Sequence, residues 1–407
     1  MKQIQGGITA AKGFQAAGVE AAIKYRNRKD MALIYSEVPC VAAGTFTTNV
    51  VKAAPVLWDQ RIVKESPYVQ AVVVNSGIAN ACTGKEGLDC CAAESRCAGE
   101  KLGIPETSIL VASTGVIGMQ IPVDRITEGI RKLAAAKSDT PEAGTDAAKA
   151  IMTTDTVEKQ IAVTFEIDGK TVTLGGMCKG SGMIHPNMCT MLGFLTTDVK
   201  ISGQMLQKAL SADVVDSFNM ISVDGDTSTN DTLLILANGL AGNEEIVSEG
   251  KNYDTFCEAL RFVTTYLARK MAGDGEGATA LFETKVIGAA SKEDARTLAK
   301  SVICSSLTKA AIFGHDANWG RILCALGYSG VSFDPENVDL WFQSVSGRIH
   351  IYGNGVACDY SEEEATKILS DSEVTVLVDM HMGEQEATAW GCDLSYDYVK
   401  INADYRS

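Results

Sequence analysis

The stretch KGSGMIHPNMCTMLGFLTTD, residues 179–198, joins a glycine-rich turn to an apolar run, with one threonine, Thr190, at the junction. The run from Met191 to Thr197 shows no polar alternation, the pattern of a strand buried on both faces, so Thr190 is expected as the first residue of a rigid core strand. If the peptide bond between Cys189 and Thr190 breaks, Thr190 gains a free α-amino group beside its own hydroxyl, a nucleophile and a base in one residue. That amine titrates near pH ~8, whereas a lysine at about 10.4 needs a large shift to serve as base. Threonine is also β-branched and stiff at χ1, so its hydroxyl is aimed at little rotamer cost. No histidine base is then required, and the chain has only four histidines. His185, five positions upstream, is the rival base.

Working outward, Ile161, Val163, Phe165 and Ile167 alternate, Asp168-Gly169 supplies a tight turn, and Val172 and Leu174 resume the alternation, which predicts a hairpin leading into the glycine-rich turn. Further upstream, Leu88, Cys91, Ala92, Ser95 and Leu102 recur at helical steps, Gly103 closes the helix and Pro105 prevents its continuation. A second helix follows Pro122, with Ile126, Ile130, Leu133 and Ala134 on one face. Gly44–Val51, Val72–Gly77 and Ile109–Gly118 read as β-like runs with glycine turns. Downstream, a helix over Asp254–Met271 turns Phe256, Leu260, Val263 and Leu267 inward. Ser291 with Asp294 and Ser361 with Glu364 have capping-box spacing and start further helices. Strands are expected at Arg348–Tyr352, Val374–Met380 and Glu386–Cys392. The sum is an α+β layered protein whose strands pair mostly through turns.

A chain of 407 residues is long enough for two or three packed domains. With 21% charged and 46% hydrophobic residues it has the composition of a globular protein. A net charge of −15 and the lack of any Lys/Arg-rich run argue against nucleic-acid and anionic-membrane partners. The start shows no signal-peptide pattern and no apolar run reaches about 18 residues, so a cytoplasmic protein is expected. Twelve cysteines are scattered without a C-x-x-C pair, the pattern of reduced core residues and of no metal site.

Each candidate has a plainer alternative. KGSG is not a phosphate loop, since Lys179 precedes glycine and a strand follows. Asp224–Asp231 fails as a calcium loop because Thr229 and Ile235 stand where glycine and glutamate are needed, so it reads as a polar turn. Thr114-Gly115 alone would be a strand-closing turn, Lys179 a surface lysine and Glu276 an acidic turn residue. What changes these readings is the full set of motifs. Met-Cys-Thr-Met-Leu at 188–192, GTFTTNVVKAAPV from Gly44, NSGIANACTG from Asn75, STGVIG from Ser113, MTTDT from Met152, SVDGDTSTNDT from Ser222, GDGEGA from Gly273, GHDANWGR from Gly314 and the terminal INADYRS occur in one order. Together they resemble the ornithine acetyltransferase (glutamate N-acetyltransferase) family of arginine biosynthesis over essentially the whole chain. One departure is Cys189, where the family segment normally has alanine.

The resemblance implies self-cleavage between Cys189 and Thr190, and a ping-pong cycle in which Thr190 takes acetyl from N2-acetylornithine, releases ornithine and acetylates glutamate. It implies Thr114 and Gly115 as the pair that stabilises the oxyanion, and Thr153, Lys179, Thr190, Glu276, Asn402 and Ser407 as substrate contacts, with Thr154 the alternative to Thr153. Two such donors matter because losing one costs an acyl-transfer site about 3 kcal/mol. The implied fold is a layered αββα sandwich of the self-cleaving N-terminal-nucleophile type with smaller α+β C-terminal domains. Domains are placed at 1–201, which holds the segment 1–189 and the first strand after the break, at 202–288 and at 289–407. A heterotetramer of two α and two β chains is also implied. No cofactor is expected, and acetyl-CoA as a further donor substrate is left open. The alternative function is an amidohydrolase or aminopeptidase of related fold, in which water resolves the acyl-enzyme.

Overall fold

The computed structural model describes residues 1–185 and 191–404. The chain opens with β1 (Lys2–Ile4), β2 (Phe14–Val19) and a 16-residue strand, β3 (Met31–Phe46). Next come α1 (Ala54–Glu65), β4 (Val69–Ile78), α2 (Gly84–Leu102), β5 (Ile109–Val116), α3 (Val123–Ala136) and α4 (Pro141–Ala150). They are followed by β6 (Lys159–Ile167), β7 (Lys170–Lys179), β8 (Leu192–Thr197), α5 (Gly203–Val214), β9 (Ile221–Ser222), β10 (Thr232–Ala237) and α6 (Lys251–Gly273).

The architecture turns on β3. Pro39 has no ladder donor, and the pairing register of β3 breaks between Tyr35 and Cys40. Its first half pairs with β2 and β4, its second half with β10. The sheet β1-β6-β7-β8-β10-β3-β4-β5, with β2 alongside β3, therefore folds back on itself at this point. Ile34, Val72, Val74 and Leu110 from one half meet Leu192, Phe194, Leu234 and Leu236 from the other in a shared core. Outside the first half lie α2 and α3, whose Cys90, Cys91, Ile126 and Ile130 pack on Leu33, Val73 and Val111. Outside the second lie α5 and α6, with Leu206, Leu210, Phe256, Leu260 and Val263 on Val163, Leu195 and Leu233. The layers run helix, sheet, sheet, helix. This is why β8 shows no alternation: Phe194 faces the sheet–sheet core and Leu195 the helices, and all six of its residues are buried.

The C-terminal part carries β11 (Leu281–Ala289), α7 (Lys292–Cys304), α8 (Ser306–Phe313), α9 (Trp319–Gly327), β12 (Asp339–Ser344), β13 (Gly347–Gly353) and β14 (Val356–Ala357). It ends with α10 (Glu362–Leu369), β15 (Glu373–Asp379), β16 (Gln385–Cys392) and α11 (Tyr396–Asp404). Its sheet has the order β14-β13-β12-β15-β11-β16-β9.

Local signals act as expected. Gly103 sits in the left-handed region at φ 70° and closes α2, and Asp168 and Gly169, at φ 51° and 69°, form the hairpin turn between β6 and β7. Ser291 and Ser361 accept the backbone N–H of Asp294 and Glu364. Three expectations are corrected. The β-like run from Gly44 stops at Phe46, because Thr47 and Asn49 bond instead to the carbonyls of Ser228 and Thr227. Leu88 points outward, 38% exposed, since the buried face of α2 runs through Gly87, Cys91, Glu94 and Ala98. Not every strand pair is joined by a turn: β4 and β5 are parallel and connected through α2, and β8 and β10 are parallel with α5 between them. Among the described residues no helix is long and apolar enough to cross a membrane.

Candidate active site

The fold gathers four strand ends along one rim of the first sheet. Lys179 at the end of β7 pairs with Leu192 at the start of β8, Leu192 pairs with Thr232 of β10, and Thr232 with Phe46 of β3, so four strands deliver one row. The Thr232 N–H also donates to the Met191 carbonyl at 2.8 Å. Above this row opens a small cleft of about 120 Å³. Thr114, Gly115, Thr153, Thr154, Lys179, Gly182, Met191, Asn230, Glu276 and Asn402 all line it. Six positions expected from the sequence, Thr114, Gly115, Thr153, Lys179, Glu276 and Asn402, thus meet in one cavity. Thr190, Cys189 and Ser407 lie outside the described residues. Met191, the residue after Thr190, is on the cavity wall.

At one side stand Thr114 and Gly115, which lie inside β5 and not in a turn, where its register with β4 shifts. Gly115 has φ +131°, and a Cβ there would collide with the backbone of Gly77 on the neighbouring strand, so only glycine fits. Asn230 holds this part of the strand, donating from Nδ2 to the carbonyls of Ser113 (2.8 Å) and Ala79. The Thr114 hydroxyl has no hydrogen-bond partner among the described residues.

The other side is a buried ionic cluster. Asp155 Oδ1 accepts from Lys159 Nζ (2.8 Å) and from the Gly180 N–H (2.7 Å), and Oδ2 accepts from the Thr153 N–H (3.1 Å) and lies 4.0 Å from Lys179 Nζ. Lys159 reaches Asp274 on its far side at 2.5 Å, and Asp274 also accepts from the N–H and hydroxyl of Thr156. Burial alone would raise the Asp155 carboxyl, but Lys179, Lys159 and the Gly180 N–H overcome it and hold it well below the usual carboxylate range. Burial pushes the Lys179 ammonium below the ordinary lysine value; Asp155 and Glu276 partly restore it. Lys179 is only 7% exposed, so it is a cavity cation and no surface lysine.

Ser181 ties the remaining parts together. Its carbonyl accepts the Glu276 N–H (2.8 Å) and its hydroxyl shares a hydrogen bond with that of Thr154 (2.7 Å). Thr154 is committed to this contact, whereas the Thr153 hydroxyl has no hydrogen-bond partner among the described residues. Gly182 leaves room for Glu276, whose carboxyl would strike any Cβ at that position. α11 covers this end: Asn402 Nδ2 donates to Glu276 Oε2 at 2.7 Å, and Tyr398 donates its phenol to Asp224 at 3.2 Å. Asp224 in turn accepts the N–H groups of Met183 and Ile184. His185 is not on the cavity wall. Its Nδ1 faces Ser222 and Cys304, and burial, with Lys300 adding to it, pushes the imidazole down to about 4.

Asp155, Asp224, Asn230 and Asp274 escaped the sequence reading, although all four lie in motifs quoted for the resemblance. Their signal was an Asp or Asn within a polar loop, which the turn interpretation absorbed. Among the described residues no group of three or more His, Cys, Asp or Glu side chains is placed to hold a metal ion.

The sequence profile of the ArgJ family matches residues 15–407. The chain is 55% identical over 409 residues to the arginine biosynthesis bifunctional protein ArgJ of Symbiobacterium thermophilum, covering 100% of both chains. It is 52% identical over 401 residues to the arginine biosynthesis bifunctional protein ArgJ 1 of Clostridium acetobutylicum, covering 98% of this chain and 97% of that one. Among solved structures, the arginine biosynthesis bifunctional protein argJ from Bacillus halodurans matches at 45% identity, with a TM-score of 0.49, over 52% of this chain and 97% of that one.

Proposed function

This chain belongs to the ArgJ family, and from that premise we propose that it is an acetyltransferase of arginine biosynthesis which moves acetyl from N2-acetylornithine to glutamate. Self-cleavage between Cys189 and Thr190 frees the amine that deprotonates the Thr190 hydroxyl. The hydroxyl attacks the amide of acetylornithine, ornithine leaves, and the acetyl ester on Thr190 is taken by the amine of glutamate. The ester divides one difficult amide exchange into two easier steps. The Thr114 hydroxyl and the Gly115 N–H stabilise the oxyanion of both tetrahedral intermediates. Lys179 holds a substrate carboxylate, Thr153 donates or accepts through its free hydroxyl, and Glu276, with Asn402 against it, meets the side-chain ammonium of the ornithine part. Ser407 is proposed as a further substrate contact.

The observation that carries the reading is the convergence of Thr114, Gly115, Thr153, Lys179, Glu276 and Asn402 on one cavity whose wall includes Met191. The word bifunctional in the names of both relatives supports a second donor, acetyl-CoA, used as a substrate, with no resident cofactor. We place the enzyme in the cytoplasm as a heterotetramer of two copies of each fragment. The test is acetylglutamate formation by purified, cleaved protein from labelled N2-acetylornithine and, separately, from labelled acetyl-CoA. Label appearing in acetylglutamate from both donors is expected. Release of free acetate at the same rate with and without glutamate would contradict the transferase assignment.

A further inference from the structure

Lys179 faces the cavity, and among the described residues its one ion pair is with Asp155. What holds it comes from behind, from the loop after α4. We propose that Asp155 is the positioning residue of the substrate site: one buried carboxylate that locks the Thr153 backbone, the Gly180 N–H and the Lys179 ammonium into a single constellation. The inference rests on the reading of Lys179 as the group that binds a substrate carboxylate.

The geometry is specific. Both Asp155 oxygens are used, Oδ1 by Lys159 Nζ and the Gly180 N–H, Oδ2 by the Thr153 N–H with Lys179 Nζ at 4.0 Å. The carboxylate therefore joins the loop that presents Thr153 to β6, which presents Lys159, and to the end of β7, where Lys179 and Gly180 follow one another. Its side chain is fully buried, and so is that of Lys159. A buried carboxylate with two cations and two N–H donors has a fixed position, because every alternative leaves a charge unpaired.

The charged and titratable groups facing Lys179 are Asp155 from the loop after α4, Lys159 from β6, Glu276 from the loop after α6 and Cys178 from its own strand. Asp274 faces Lys159 from the end of α6. Asp155 is the largest of the interactions that keep Lys179 charged, ahead of Glu276. Asp155→Asn keeps the shape and the acceptor for Gly180 but removes that charge. Lys159 retains Asp274, and Lys179 keeps Glu276 as its remaining carboxylate neighbour.

The experiment measures KM and kcat for N2-acetylornithine against pH in wild-type enzyme and in Asp155→Asn, with completeness of self-cleavage checked by mass. KM rises at alkaline pH as Lys179 loses its proton. In Asp155→Asn this rise is expected to begin roughly one to three pH units lower, the usual effect of one opposite charge nearby, with KM changing more than kcat. The deprotonation of other groups is common to both proteins and drops out of the comparison. A purely structural role lowers the active fraction without moving the pH of the rise, and that outcome overturns the proposal. If Asp155→Asn does not fold, Asp274→Asn replaces it. Freeing Lys159 to draw on Asp155 alone is expected to move the rise in the same direction by less, and an unmoved rise there equally overturns the proposal. Failure of the wild-type enzyme to transfer acetyl counts instead against the functional reading.

Discussion

Two of the places where this molecule buries carboxyl groups solve the problem in opposite ways. Beside the cavity, Asp155 and Asp274 are matched by Lys159 and Lys179 and by backbone donors, so Asp155 stays ionised. Under α2, Asp59 and Glu94 face each other with two thiols, Cys90 and Cys91, for neighbours. Asp59 accepts only the Val111 N–H and Glu94 only the Cys90 thiol, and the second oxygen of each has no partner among the described residues. Burial raises both carboxyls, Glu94 to about 7 and Asp59 well above its ordinary value, with mutual repulsion adding to the effect on Asp59. Full ion pairing is expensive in desolvation, and in this molecule it lies beside the cleft. Under α2 the less costly arrangement is a carboxyl that holds its proton more tightly than usual.

The sharpest way to break this contrast is Lys159→Met. It removes the cation shared by two buried carboxylates, leaving Asp155 only the more distant Lys179, and is expected to cost about 3–5 kcal/mol of stability, seen as a lowered urea midpoint with an unchanged slope. A loss below ~1 kcal/mol would mean that the cluster is hydrated, and the contrast would disappear.

Next in size is Glu94→Gln. The folded-state value of about 7 lies above the ordinary 4.5, so the stabilisation is complete below about pH 4.5 and is lost as pH rises through 7. That is a loss of about 3 kcal/mol across the window, taking 1.36 kcal/mol per pKa unit. The glutamine variant should lack this slope, be the more stable protein at about pH 8, and transfer acetyl at the wild-type rate. Parallel pH–stability curves for the two proteins would remove the claim that Glu94 is buried as an acid.

Tyr398→Phe is the smallest change. It deletes one hydrogen bond from α11 to Asp224, worth about 1 kcal/mol, and is expected to raise KM for N2-acetylornithine several-fold while leaving cleavage and global stability near wild type. An unaltered KM would show that α11 needs no anchor at that point.

The same contrast explains what could be read in the sequence. Periodicity located α6, β8 and the β6–β7 hairpin, which bury the side chains their spacing predicts, but it did not single out α1, α4, α5, α8, α9 or α11. The fold-back at Pro39 was not legible. Met31–Phe46 looks like any apolar run until its two halves are seen to pair with different partners. Within the site, Thr114, Lys179 and Glu276 were legible as parts of long motifs. Asp155 and Asp274 were not, since a carboxylate acquires this role only when β6 brings Lys159 between residues 119 positions apart in the chain. Leu88 was misjudged for a related reason. Hydrophobicity favoured it as the inner face, but α2 turns Glu94 inward as a neutral acid and leaves Leu88 in solvent.

The most direct test of the account is the mass of the fragment beginning at Thr190 after cleaved enzyme is mixed with N2-acetylornithine in the absence of glutamate. The account predicts a fragment heavier by one acetyl group, with the label on Thr190 and discharged when glutamate is added. Active wild-type enzyme that remains one unbroken chain through Cys189 and Thr190, or that never carries acetyl on that fragment, would contradict it.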